Sequence, residues 1–230
     1  MSKKIDQIFE EASVLLTTVK KLSSELAEVG VTSEKVTGFE NAIATLREKD
    51  AVFHESKKQV TYRSQEQKGK VKSIFDLLDR FRQAAEIVFY GDKATLKAYM
   101  VGKAFPTSIS ELTSLLTYVR ESAKGHLEAL MQNGIKQSDY DDLTNSLTAL
   151  VEMENQQEDA KHVRSRRFAE LESSAKELNV TMYKIRKAAG IRFQNEPEIL
   201  DQFKPVTYRK SSTKTDTTTT ETTTETGTNS

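Results

Sequence analysis

The chain has 230 residues, of which 37% are hydrophobic and 30% are charged, a balance typical of long solvated helices rather than of a thick globular core. Basic and acidic residues number 34 each, so no net charge draws the protein to nucleic acid or to an acidic membrane. Nine glycines and three prolines are too few for a β-protein rich in turns, and the absence of cysteine excludes disulfides and thiolate-ligated zinc.

The amino-terminal segment MSKKIDQIFEEASVLL belongs to the first predicted helix. Acids at positions 6, 10 and 11 interrupt its apolar residues, so we expect no signal peptide. No later stretch approaches the ~20 consecutive apolar residues of a membrane-spanning helix. The sequence therefore predicts a cytoplasmic protein without a transmembrane segment.

The first helix is predicted over about residues 5–29, because its apolar residues recur every three or four positions along one face. A turn at 29–32 follows, with Ser33 as the expected N-cap of the next helix.

That second helix is predicted over about residues 33–90. Its apolar positions, from Phe39 onward, keep one heptad register without a slip, which favours a continuous coiled-coil-like helix of about 50 residues and ~80 Å. Gly69 lies inside it at a cost of ~1 kcal/mol relative to alanine. A hinge near 64–70 is the alternative.

A short capping helix is predicted over about residues 93–101, after the stretch AAEIVFYGDKATLKAY at 84–99. Gly91 tolerates the left-handed conformation that ends a helix, and Asp92 is a candidate N-cap. Leu96 and Tyr99 would then fold back over the end of the bundle. They form either a structural lid or a docking surface for a partner.

The same elements recur after 104 residues. Without gaps, residues 5–101 lie over 109–205 with seventeen identical pairs, and Gly30 and Gly134 both end a periodic apolar run. We interpret the chain as a tandem duplication of residues 1–104 and 105–210. The alternative is two similar hairpins matched by composition bias.

The second copy is predicted to contain helices at about 108–133, 138–193 and 197–203. Ser108 and Glu111 have the spacing of a capping box, and Ser138 is the expected N-cap of the long helix. Pro197 suits the first position of the last helix, and Leu200 and Phe203 repeat the apolar pair of the first cap.

Each long helix has an apolar seam that its own short helix leaves half uncovered, and a polar middle. We therefore predict that the long helices run antiparallel, each completing the other copy's hairpin in one pseudo-twofold, elongated all-α unit. Asp50 would lie near Lys176, and Lys72 near Glu154. A homodimer covering the same seams is the alternative.

Catalytic and metal-binding patterns are missing from the sequence. His54, His126 and His162 do not share the spacing of a symmetric metal site, and His126 is expected to be a packing residue. No phosphate-binding glycine motif and no nucleophile elbow occurs. We expect no enzyme activity, no cofactor and no metal.

Two basic clusters occupy equivalent stretches of the long helices: Lys57, Lys58 and Arg63 in the first copy, and Lys161, Arg164, Arg166 and Arg167 in the second. They form either a solvated stalk balanced by neighbouring acids or a binding site for an anionic partner at the centre of the molecule.

The Thr-rich segment 211–230 is of low complexity and is predicted to be disordered.

We expect the whole chain to be a non-enzymatic helical scaffold or adaptor that binds protein partners or self-associates. The alternative is a helical protein that binds nucleic acid or an anionic surface through the central basic belt.

Overall fold

The computed structural model describes residues 2–206, with side chains from Ile5 onward, so the tail predicted to be disordered at 211–230 lies outside the described residues. All the regular structure in 2–206 is helical, as the sequence predicts. The eight helices are α1 (Ser2–Lys21), α2 (Ser23–Ala27), α3 (Ser33–Val88), α4 (Lys93–Ala98), α5 (Ile109–Lys124), α6 (Leu127–Gln132), α7 (Gln137–Arg192) and α8 (Pro197–Asp201).

The two long helices, α3 and α7, are the centre of the fold. Each has 56 residues, each is unbroken, and their first residues are 104 positions apart. A rise of 1.5 Å per residue makes each about 84 Å long. They pack against each other in antiparallel orientation, as predicted, and α3 continues through Gly69 without the alternative hinge.

Two separate hydrophobic cores form at the ends of this helix pair. Unit one contains α1, α2, the first half of α3, the second half of α7, and α8 with the segment after it; its core includes Leu15, Phe39 and Met182. Unit two contains α4, α5, α6 and the remaining halves of the long helices. Each long helix therefore completes the hairpin of the other copy, and the seams are covered within one chain.

A weakly buried waist lies between the two cores. Between Leu46 and Ile74 the one buried residue of α3 is Ser56, and α7, which is described in full, buries none between Leu150 and Leu171. This stretch has no third helix because the short helices are too short to reach it. The polar middle predicted for each long helix therefore lies in a weakly buried part of the molecule.

The register across the waist differs from the predicted one. Phe53 contacts Phe168, with ring centroids 5.5 Å apart, and Lys49 donates to Ser174. Neither expected charge pair is among the ion pairs formed within residues 5–206, and Asp50 instead pairs with His54 at 3.3 Å. The aromatic contact lies at the edge of core one and is not encoded in the charge pattern.

The first helix of each copy is broken, where the sequence predicts one continuous helix. The breaks lie at Leu22 and at Gly125–His126, between α1 and α2 and between α5 and α6. Gly125 lowers helix propensity in the second copy, and two serines follow Leu22 in the first. Both breaks let the last turn bend toward the end of the core, where Leu26 and Leu130 are fully buried.

The N-caps of the two long helices lie one or two residues before the predicted ones. Thr32, not Ser33, caps α3, since its hydroxyl accepts from the Lys35 amide at 3.5 Å. In the second copy Lys136 stands at the N-cap in place of Ser138, and its amide donates to the Asp139 carboxylate at 2.9 Å. Each turn closes one residue or two earlier than expected, after Gly30 and Gly134 at positive φ.

Candidate interaction surfaces

The basic residues of the waist are largely matched by acids on their own helices. Arg63 binds Glu66 and Arg167 binds Glu170, each at 2.8 Å. These two pairs are related by the 104-residue shift. The hydrogen bond from Arg167 holds the pKa of Glu170 below its ordinary value. An arginine neutralised in this way attracts an external anion less than an unpaired one does.

Three further cations of the waist also lie close to an acid on their own helix. Lys58 lies 3.6 Å from Glu55, Lys161 lies 2.6 Å from Glu158, and Arg166 lies 3.9 Å from Glu170. The hydrogen bond from Lys161 lowers the pKa of Glu158.

Lys57 and Arg164 line a cavity of about 300 Å³ between α3 and α7. Phe53 and Phe168 form its apolar wall, and Asp50 is its acid. Of the predicted belt, these two cations are the ones that the structure brings together across the helix pair.

The aromatic residues of the predicted caps lie in the two cores. Tyr99 and Phe203 are 1% and 2% exposed, whereas Leu96 and Leu200 are half-buried. Asp92 caps α4 as predicted, accepting from the Ala94 and Thr95 amides at 3.1 and 3.2 Å. In this conformation the two aromatic side chains are buried, which favours the structural lid over the docking surface.

Two arginines that sequence reasoning did not single out hold the caps in place. Arg82 donates to the Lys103 carbonyl oxygen at 3.0 Å, and Arg186 donates to the Phe203 carbonyl oxygen at 2.8 Å. Arg186 also reaches the Glu11 carboxylate at 2.7 Å. These arginines are identical under the 104-residue shift, which was the available signal for a shared role.

Exposed isoleucines lie near the carboxyl ends of both long helices. Ile87 is 64% exposed and Ile191 is 69% exposed. The 104-residue shift places one on the other, and the antiparallel packing puts them at opposite ends of the molecule. Tyr90, at 92% exposure, lies in the turn that follows α3, three residues after Ile87.

The histidines lie in three different settings. His54 pairs with Asp50, His162 is exposed on the waist, and His126 is exposed at the break before α6 with its ring 4.9 Å from that of Phe89. Within the part of the chain that the structure describes, no group of three or more histidines and acids is placed to hold a metal ion.

Comparison with protein-family models, curated proteins and solved structures gave no significant match. Among the helices of residues 2–206, none combines the length and the apolar character that a bilayer crossing requires.

Proposed function

We propose that the protein is a non-enzymatic helical scaffold that holds two equivalent protein-binding ends about 84 Å apart, the length of one long helix. The observation that carries this proposal is the pair of exposed isoleucines, Ile87 and Ile191, at the two ends of a rod built on unbroken helices. A cytoplasmic setting is part of the same proposal.

The internal organisation supports a spacing role. Both long helices pass through both cores, so the units cannot rotate freely on a flexible linker. A partner bound at one end is therefore held at a fixed distance from a partner at the other end. Contiguous apolar patches on a rigid surface are typical of protein-binding sites, whereas single exposed apolar residues are common on any surface.

Partner binding and self-association are tested with the same variants. Ile87→Glu and Ile191→Glu are compared with the wild type by sedimentation velocity and by quantitative capture of partners from native lysate. We expect each variant to lose the contacts of one end and the double variant to lose both. Val52→Glu, which changes an exposed apolar residue of the waist, is the matched control. Equal behaviour of the wild type, the three isoleucine variants and the control would contradict the proposal.

The second candidate function is binding of an anionic surface through the waist. The observation that favours it is the convergence of Lys57 and Arg164 on one cavity. The ion pairs that engage five other belt cations weigh against it. Salt-dependent retention of generic DNA by the wild type, lost in Lys57→Gln with Arg164→Gln, would support this alternative.

A further inference from the structure

A groove of about 550 Å³ opens at the outer end of unit one, between the first turns of α3 and the last turns of α7. Its floor is apolar and includes Phe39, Ile185 and Ala188. Among its ten lining residues, all within the described part of the chain, there are two lysines, Lys35 and Lys184, and no acid. Two cations therefore face an apolar space with no negative partner among its walls.

The equivalent position of unit two holds a carboxylate beside the corresponding cation. The 104-residue shift carries Lys184 onto Arg80 and Lys35 onto Asp139. Arg80 binds the Asp139 carboxylate at 2.5 Å, and the side chain of Asp139 is 6% exposed. One copy thus places a carboxylate between these helices, whereas the other replaces that carboxylate with a second cation.

Three wall positions of the groove carry smaller side chains in unit one, although Phe39 is larger than its counterpart Leu143. Thr181 and Ile185 take the places that Leu77 and Phe81 occupy in the core of unit two. Gly38 takes the place of Asp142, and a side-chain carbon at Gly38 would meet no atom within 4 Å. The smaller side chains leave space at the position where unit two is filled.

The geometry points to a binding site for a small organic anion, with a carboxylate or phosphate on an apolar body, in the groove beside Lys35 and Lys184. The anionic group takes the position relative to Lys184 that the Asp139 carboxylate takes relative to Arg80. The apolar body lies on Phe39, Ile185 and Ala188. A groove of this volume is in the range of small-molecule sites, which combine an apolar lining with a few polar groups.

The local electrostatics favour the same charge. The Lys35 ammonium donates to the Gly30 carbonyl oxygen at 2.6 Å, which holds its charge at the edge of the groove. The first turn of α3 adds the positive end of a 56-residue helix. The site does not depend on the scaffold role, because it needs no partner protein.

The test uses 4-phenylbutyrate as the anionic probe and its neutral amide as the matched ligand, titrated into the isotopically labelled full chain and followed by amide chemical shifts. We expect the acid to shift residues 29–39 and 181–188 with a Kd on the order of 1 mM. The backbone N–H signal of Gly134 is the internal control, because Gly134 is the unit-two equivalent of Gly30. The neutral amide is expected to bind at least tenfold more weakly.

Two variants separate loss of the site from loss of the fold. Lys35→Asp rebuilds the arrangement of unit two and is expected to remain folded, by its amide spectrum, while losing the acid at least tenfold. Lys184→Gln removes the second cation and is expected to weaken binding severalfold. The inference is overturned by no shift up to roughly 10 mM acid, ten times the expected Kd. Equal binding of acid and amide, or unchanged binding by Lys35→Asp, overturns it as well.

Discussion

The ring of Phe193 stacks on the ring of Phe203, with centroids 5.9 Å apart and an interplanar angle of 21°. Phe89 and Tyr99, each 104 residues earlier, have the same arrangement at 5.9 Å and 17°. In both units the residue that ends the long helix is covered by an aromatic residue that follows the short helix. This contact closes the outer end of each core.

Phe203→Ala is expected to lower the free energy of unfolding by about 3 kcal/mol, because it removes a buried aromatic ring and leaves a cavity. Urea denaturation measures the effect. Gln202→Ala, at an exposed neighbouring position, is expected to stay within about 0.5 kcal/mol of the wild type. If Phe203→Ala were as stable as this control but lost a partner, the cap would be a docking element and not a structural one.

Tyr99→Phe is expected to increase stability by about 1 kcal/mol. The Tyr99 hydroxyl is buried and has no hydrogen-bond partner among the described residues, and such a group costs about 1–3 kcal/mol. Phe203 fills the equivalent place in unit one without a hydroxyl. Thermal unfolding of both proteins at neutral pH measures the difference. A lower Tm for Tyr99→Phe would show that the hydroxyl is satisfied.

The same residue predicts a stability change at high pH. Burial raises the pKa of Tyr99 from 10.0 to about 12. Between these values the unfolded chain releases the phenolic proton and the folded chain keeps it, so the free energy of unfolding falls as pH rises. The loss attributable to Tyr99 is on the order of 2 kcal/mol over this window. Comparing the pH dependence with that of Tyr99→Phe isolates it from lysine titration. Parallel profiles for the two proteins would rule out the shifted pKa.

Asp139→Ala is expected to destabilise the protein by about 2 kcal/mol. The carboxylate accepts from both Arg80 and the Lys136 amide, so its removal leaves a charge and a helix end without their partner. Lys35→Ala at the equivalent position of unit one is the matched control and is expected to change stability by less than about 0.5 kcal/mol. Chemical denaturation measures both, and similar effects would mean that the two turns are built alike.

Gly69→Ala is expected to raise stability by about 1 kcal/mol. Gly69 is exposed inside α3, and an added side-chain carbon would meet no atom within 4 Å. Alanine then contributes its higher helix propensity without a steric cost. Urea denaturation measures the gain. A loss of stability would instead indicate a hinge in α3 at this point.

Local patterning made much of the fold predictable. The helix class, the 104-residue repeat and the two long helices follow from heptad spacing and from glycines that recur at equivalent positions, Gly30 and Gly134. The antiparallel packing was also predictable, since each apolar seam exceeds what its own hairpin covers. The division of the chain at residues 104 and 105 stays a prediction.

The helix breaks and the interhelical register were not predictable. Leu22 and His126 both continue the spacing of an amphipathic helix, yet the chain bends there to bury Leu26 and Leu130. The contact of Phe53 with Phe168 belongs to a register that the charge pattern does not predict. Both depend on the shape of a partner helix that is distant in sequence.

Apart from the two helix breaks, the amino-acid sequence by itself determined which segments are helical and which faces are apolar, because both depend on spacing along one segment. Only the tertiary structure decided that Lys35 and Lys184 share a groove, because these lysines are brought together by the packing of α3 against α7. Their unit-two counterparts, Asp139 and Arg80, bind each other in the same place. A single sequence repeat thus gives a filled site in one unit and an open groove in the other.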